Sequence, residues 1–375
     1  MQRLTKIILN NLIKLAVVLC IIAFLIPKNT AFANGFEFTI IARGKSYVFS
    51  LDEIAFYNDK YYLKDAENVV DKIYLDTIVR EKNATCTFNF NNENPFTITS
   101  ESNGLALDKE RLLNDIDFAL NNSKTSVKAH YNLIKPKITA KNLNEETFLR
   151  GRFTTYYSYS EDGRKQNISL STNKISNLVL KDGDEFSFNK TVGERTIENG
   201  FVGAKVILNG DYTEGVGGGV CQTSTTLYNC ALISGLKITE QHPHSLQVGY
   251  IEPSFDAMVN SYTTDLKFVN NTGGTIYIGG VADGDRVTFS IYGKKPTSVY
   301  ERVSVITSEL DCNEYIYEDD FTLKLGTTKW VRQPKNGVTS EGFLVEYKNG
   351  VRVKNVKLRQ DKYNSLKGVI KVGKG

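Results

Sequence analysis

The chain has 375 residues, 41% of them hydrophobic and 23% charged, enough for two or three domains that each bury a core. Its formal charge of +4 comes entirely from Arg3, Lys6, Lys14 and Lys28, because the remaining basic residues are matched by 42 acidic ones. That balance gives no reason to expect a nucleic-acid partner, and the scattered Lys and Glu read as solvated surface.

Residues 1–33 have the layout of a secretory signal peptide. A basic, acid-free MQRLTKIILNNLIK leads into the apolar run Leu15 to Ile26 and then the small-residue site Ala31-Phe32-Ala33. The run is short for a membrane span, so contact with a membrane is expected only if this segment stays uncleaved as an anchor. Cys20 follows Leu19, where a lipid-attachment site needs a small residue. Beyond the signal stand Cys86, Cys221, Cys230 and Cys312, too irregularly spaced for a small disulfide-stapled scaffold.

Residues 34–150 read as a small α+β module. FEFTII, KSYVFSL and CTFNF have strand character, and LDKERLLNDIDFALNN places Leu112, Leu113, Ile116 and Phe118 to Leu120 at helical spacing after the capping residue Asp108. KTSVKAHYNLIKPKIT is expected to be extended and KNLNEETFL to be a polar linker; His130, isolated there, reads as structural. Residues 151–293 read as a β-rich domain with inserted helices. FTTYYSYS, VILNG, LKITEQHPHSLQVGYI, DLKFVNN, GTIYIGGVA and RVTFSIYG are its strands, with ISLSTNKISNLVL as a helix. Residues 294–375 read as a β-ribbon domain whose hairpins turn at Asn336-Gly337 and Asn349-Gly350, where a type I′ turn needs positive φ at both central positions. The expected fold class is therefore α+β, β-rich and multi-domain, with antiparallel sheets and a cysteine-bearing helix in the central domain.

The chemistry concentrates in GVGGGVCQTSTTLYNC, residues 215–230. The glycines permit a backbone path closed to other residues, and no Gly-Lys-Ser/Thr follows, which argues against a nucleotide P-loop. TTLYNCALIS reads as a helix closed by Gly235, so Cys221 falls in or just before its first turn, where the helix dipole and free N–H groups stabilise a thiolate. A tight turn feeding a buried structural cysteine fits the same spacing. Cys230 falls on roughly the opposite face of that helix, about 13 Å along its axis, which excludes a disulfide or a shared metal and makes it a core residue. His242 and His244 in QHPHSLQV flank Pro243, which holds the chain extended, so both rings are expected on one side. They would serve as base for the thiol or, with Cys221, as a metal site; no further ligand stands at recognisable spacing, and neither a metal nor another cofactor is expected. Asp256 either orients an imidazole or caps a turn.

The segment GDEFSFNKTVGERTIENGFVGAKVILNGDYTEGVGGGVCQTSTTLYNCALISGLKITEQHPHSLQVGYIEPSFDAMVNSYTTDLKFVNN resembles the VanW domain, and the likeness continues to Tyr292-Gly293. Two departures are Cys230, where a small alanine is common, and Met258, where a threonine is commoner. FTITSESNGLALDKERLLNDIDFALNNSKTSVKAHYNLIKPKIT is similar to a peptidoglycan-binding module that often precedes such a domain. The tail, with Gly326, Gly337, Gly350, Gly368 and Gly373, is similar to the five-glycine domain of wall and adhesion proteins. The resemblance implies a bacterial protein acting outside the cytoplasm, secreted or attached to wall or membrane. It implies a peptidoglycan L,D-transpeptidase working on stem peptides, with some L,D-carboxypeptidase activity, in which Cys221 is the nucleophile and His244, or else His242, the acid/base partner. Asp256 would orient that histidine. Arg195 and Arg164 are candidates to bind a stem carboxylate, with Gly218, Gly219, Gln222 and Ser224 around the nucleophile as further substrate-binding candidates. The competing expectation is a non-catalytic wall-binding or glycopeptide-resistance accessory protein.

Overall fold

The structure, a computed structural model, describes residues 35–208 and 210–375. The signal-peptide reading of residues 1–33 and Cys20 lie outside them. The described chain is β-rich, with mostly antiparallel sheets and a few helices, and it divides into two compact units.

The first unit holds residues 35–84 and 100–138. Strands Lys45–Ser50 and Glu37–Ala42 pair antiparallel, and Ser126–Lys128 adds to the second in parallel. Helices Ala66–Thr77 and Lys109–Asn121 bury Val70, Ile73, Leu112, Ile116 and Leu120 with Phe38 and Ile40 in one core. Asp108 caps the second helix by accepting the Arg111 N–H at 3.1 Å, as its place before an apolar-periodic run predicts. Phe118 is a correction: it is 64% exposed, and Ala119 takes the inward place.

The two compact units do not follow the expected 34–150 span. Hairpin Thr85–Phe88 with Phe96–Thr99 and everything from Thr139 onward belong to the second unit. The reason is aromatic: Phe88 and Phe96 lie 5.3 and 5.1 Å from the Tyr277 ring, and the Phe90 ring covers Gly279, where a Cβ would collide with it. The expected linker KNLNEETFL forms a short helix, Ala140–Asn144, and then enters the strand Phe148–Tyr156.

In the second unit a four-stranded antiparallel sheet runs in the order Phe148–Tyr156, Arg286–Gly293, Ile276–Ala282, Leu178–Leu180. Helix Asp162–Ile175 and helix Val220–Ile233 pack on it. Ile168, Ile175, Leu227, Ala231, Ile278, Phe289 and Ile291 are all fully buried between them. A smaller antiparallel sheet orders Glu185–Ser187, Lys267–Val269 and Lys237–Glu240, and Gly203–Leu208 pairs with Asp211–Val216 as a separate hairpin.

The C-terminal residues of the same unit form two ribbons. Val299–Leu310, Gly337–Lys348 and Val351–Tyr363 make one antiparallel sheet; Tyr315–Asp320, Gly368–Gly373 and Thr328–Arg332 make the other, whose first pair is parallel. Asn349 and Gly350, at φ 51° and 78°, form the expected positive-φ turn. Asn336-Gly337 does not. The Asn336 side chain instead accepts the Cys312 N–H at 3.1 Å and reaches Asp311, and Gly337 simply starts a strand.

Candidate active site

Helix Val220–Ile233 is buried along nearly its whole length although half its residues are polar. Unpaired, each such group would cost about 1–3 kcal/mol, so their partners fix what surrounds the helix. Thr223 pairs with Ser171 at 2.8 Å and Thr226 with Thr155 at 2.7 Å, tying the helix to its neighbours. Ser224 donates to the Ala257 carbonyl at 2.6 Å, Thr225 accepts the Ala257 N–H at 2.9 Å, and Asn229 donates to the Phe255 carbonyl at 2.8 Å. Three side chains of one helix thus clamp residues 255–257, and Asp256 is fixed between them.

The helix starts where the glycine run ends. Gly219 is its N-cap at φ 105°, a left-handed conformation that disfavours a Cβ, and the glycine before it lies so close to the Lys205 carbonyl that a Cβ would stand 2.5 Å away. The Gly217 N–H goes to Val202, that of Val220 to Gly217 and that of Gln222 to Gly219. Among the described residues the N–H of Cys221, like that of Thr223, meets no backbone acceptor outside the helix. At the other end the Gly235 N–H bonds to Leu232 and the Leu236 N–H to Ala231, the paired closure expected of a glycine C′ residue.

Cys221 is therefore the second residue of the helix, half-buried, with its thiol 3.3 Å from the Val259 carbonyl. His244 lies close enough to the sulfur for each group to shift the titration of the other. The Nδ1 of that ring lies 2.7 Å from Asp256 Oδ2, which also accepts the His244 backbone N–H at 2.6 Å, so Nε2 is the nitrogen left to face the thiol. Burial raises the cost of charging both groups. In Cys221 the hydrogen bond and charge of His244, with Arg195 nearby, outweigh that cost and hold the thiol below its ordinary range. In His244 burial is outweighed by the bonds to Asp256 and Cys221, which lift the imidazole to about 9. The depressed thiol and the elevated imidazole both shift the pair toward thiolate and imidazolium, and the positive end of the helix dipole favours the same direction.

Two guanidinium groups stand near the Cys221 sulfur, and among the described residues neither has a carboxylate in hydrogen-bond contact, although Asp265 acts on Arg195 at longer range. Arg164 donates to Gln222 Oε1 at 2.6 Å and Ser160 Oγ at 2.8 Å, and Arg195 donates to Asn189 Oδ1 at 2.5 Å. Burial lowers the pKa of both, and the negative charge on Cys221 works against that.

Several expectations are corrected here. The two rings of the His-Pro-His segment do not leave on one side: His242 pairs with Glu240 at 3.0 Å, which also binds Lys267 at 2.8 Å. The strand ends at Glu240, so same-face spacing does not apply to residues 242 and 244. The ligand set that a metal would need from Cys221, His242 and His244 is consequently not assembled. Gln222 and Ser224 do not face open space either. Gln222 is 1% exposed and donates to Thr155 Oγ1 and the Tyr156 carbonyl, while Ser224 is spent on Ala257. Gly218 and Gly219 shape the turn through their backbone. Cys230, fully buried with its thiol pushed up to about 12 chiefly by that burial, is a core residue as expected.

Three residues of this site escaped the sequence reading. Tyr250 is half-buried beside Cys221, and Arg359 and Tyr363 reach Asp256 from the last sheet. Only Tyr250, six residues past His244, had a local signal.

Residues 163–292 match the family model described as VanW like protein. The chain carries a VanW-like domain. Before it, residues 30–128 match a model described as "Putative peptidoglycan binding domain", and after it residues 301–374 match the G5 domain. The Uncharacterized protein YoaR of Bacillus subtilis is 37% identical over 160 residues, 42% of this chain and 53% of its own length. The Vancomycin B-type resistance protein VanW of Enterococcus faecalis is 24% identical over 178 residues, 44% of this chain and 64% of its own length. The chain thus spans between half and two thirds of these VanW-like relatives. Among solved structures, the G5 domain of an IgA1 protease is 16% identical over 21% of this chain and 92% of its own, with a TM-score of 0.15. The matched VanW segment contains Cys221, His244 and Asp256 together with both flanking arginines. Among the described residues no helix is long and apolar enough to cross a membrane.

Proposed function

We propose that the VanW-like domain is a cysteine acyltransferase acting on peptidoglycan outside the cytoplasm, an L,D-transpeptidase. The observation that carries this reading is the chain of contacts from the Cys221 sulfur through His244 to Asp256 at a helix N-terminus. Such a relay supplies an ionised nucleophile and a proton carrier in one place.

The thiolate of Cys221 attacks the carbonyl carbon of the third residue of a donor stem peptide, and the carbonyl π electrons move to oxygen. The Cys221 N–H, which has no backbone acceptor, is the donor we assign to that oxyanion, a contact of the kind that contributes about 3–4 kcal/mol in acyl transferases. Collapse breaks the C–N bond, the departing D-alanine amine takes the proton of His244, and a thioester remains. The side-chain amine of an acceptor stem then attacks the thioester, loses a proton to His244 and forms a new amide, a 3-3 cross-link, while the thiolate is released. Water in place of the amine gives the L,D-carboxypeptidase product. Arg164 and Arg195 suit the carboxylate of the departing residue, since among the described residues neither guanidinium is in hydrogen-bond contact with a carboxylate, Asp265 acting on Arg195 only at longer range. The flanking peptidoglycan-binding and G5 domains support a cell-wall setting and hold the domain near its polymer, which raises local concentration.

The same flanking domains would suit a protein that only binds the wall. Purified protein incubated with tetrapeptide muropeptides and read by mass spectrometry separates the two. Acyl transfer predicts 3-3 dimers, free D-alanine and a trapped thioester on the peptide carrying Cys221. Equal turnover by Cys221→Ala, or no turnover by the wild type with stem-peptide binding intact, rules out the enzyme.

A further inference from the structure

Asp256 is 1% exposed, and its two carboxylate oxygens have different masters. Oδ2 is taken by the ring and backbone of His244. Oδ1 is served entirely from the last sheet: the Tyr363 hydroxyl lies 2.6 Å away and Arg359 Nη2 3.1 Å away. Arg359 Nη1 also donates to the Asp256 carbonyl at 2.7 Å. The direction of the tyrosine bond is forced, because the same hydroxyl accepts the Ser254 N–H at 2.8 Å and has one proton to give. Arg359 is itself oriented by Asp361 at 2.5 Å, with both side chains under a tenth exposed. Ser254 meets Ser340 at 2.7 Å, Ser304 donates to the Pro253 carbonyl at 2.7 Å, and the Arg302 guanidinium lies between the Phe153 and Phe255 rings. The loop bearing Asp256 is therefore gripped on one side by the cysteine helix and on the other by the C-terminal sheet.

We propose that the G5 domain is a working part of the thiol site, with Arg359 and Tyr363 as positioning residues that hold Asp256, and through it His244, against Cys221. This rests on the reading of Cys221 and His244 as a reacting pair, and it adds that the pair is incomplete without the third domain. Its physical basis is the fixed demand of a buried carboxylate. With Oδ1 unserved, Asp256 would have to rotate toward other donors or take up a proton, and either change releases the imidazole from its one productive orientation. The charged and titratable groups around the relay are few. Arg164, Arg195 and Tyr250 act on Cys221, Tyr228 and Tyr250 on Asp256, and Asp361 on Arg359. Removing Arg359 also takes a cation from this set, which moves the thiol in the same direction as loss of orientation does.

The test needs no substrate and uses the full chain. The rate of Cys221 alkylation by iodoacetamide is followed against pH, with the modified peptide resolved by mass spectrometry. Wild type is expected to react with a midpoint below that of an ordinary thiol. Tyr363→Phe, which keeps the ring and removes one hydroxyl, should raise that midpoint by about one pH unit and slow reaction by about tenfold at pH values below both midpoints, and Arg359→Gln should do the same or more. Val345→Ala, which weakens the same sheet away from Asp256, should lower thermal stability and leave the midpoint where it was. If Tyr363→Phe and Arg359→Gln superimpose on wild type while His244→Ala shifts, the sheet is only scaffold and the inference is overturned. A wild-type midpoint no lower than a free thiol overturns it too. A low midpoint, raised by both variants, in a protein that makes no cross-links upholds the inference while the transpeptidase reading fails.

Discussion

Two thiols share one helix under opposite physical regimes. Cys221, at the first turn, has the His244 imidazole close by, a nearby guanidinium and the favourable end of the dipole. Cys230, in the middle, has two carbonyl oxygens at 3.4 and 3.5 Å, a minor influence from Arg152 and no exposure. Both are buried enough to resist ionisation, so burial alone does not distinguish them. What differs is whether an imidazole is held within reach, and that is a property of the loops on which the helix end rests. The sharpest way to break the contrast is substitution. Cys221→Ala should reduce cross-link formation by at least ~10³-fold with little change in melting temperature, whereas Cys230→Ala should retain activity within about threefold. Comparable losses from both would mean that the two environments do not separate reactivity from packing.

The next effect falls on the two histidines. His244→Ala removes the proton carrier and should cost about 10²–10⁴-fold in kcat/KM, and His242→Ala, which loses a contact with Glu240 at the surface, should stay within about twofold. The pH profile sharpens the same point. Cys221 must be ionised to attack, so activity rises with pH through a thiol midpoint that lies below the ordinary value. His244 must be protonated to release the amine, so activity falls as pH rises through about 9. The expected bell is thus displaced upward on its alkaline side relative to a histidine of ordinary pKa, and a limb near 6.5 would show that Asp256 does not support the ring in solution.

How much of this could be read from residues alone follows from how local each signal is. The cysteine helix was legible because its start and stop are written in adjacent residues: glycine at the N-cap, an unbroken run of helix-compatible residues and Gly235 in the C′ place. The capping of the earlier helix by Asp108 was legible for the same reason. The histidine pair was misjudged because alternation of side chains holds only while a strand continues, and this one stops at Glu240. Gln222 and Ser224 carry polar groups beside a nucleophile, which suggests substrate contact, but their depth depends on what packs over them. Hairpin 85–99 follows the first unit in the chain and not in space, since its phenylalanines find Tyr277 and Tyr292. Arg359 and Tyr363 lie more than a hundred positions beyond Asp256, in a domain that its motif alone presents as a spacer.

The smallest expected effect concerns Cys230 itself, and it measures how far its regime is set by packing. Its thiol is pushed up to about 12, chiefly by burial, so it stays neutral throughout the range in which the protein works and contributes no charge to defend. Cys230→Ala deletes one sulfur from a core lined by strands Phe148–Tyr156 and Arg286–Gly293, which should cost about 1–2 kcal/mol through lost contacts and a small cavity. Cys230→Ser should cost a similar amount or less than burial of a bare hydroxyl would suggest, because the Gly151 and Phe289 carbonyls already stand where an O–H could donate. Denaturant titrations of the two variants against wild type read this directly. If serine proves several kcal/mol worse than alanine, those carbonyls are closed to a hydroxyl, and the residue is held by shape alone.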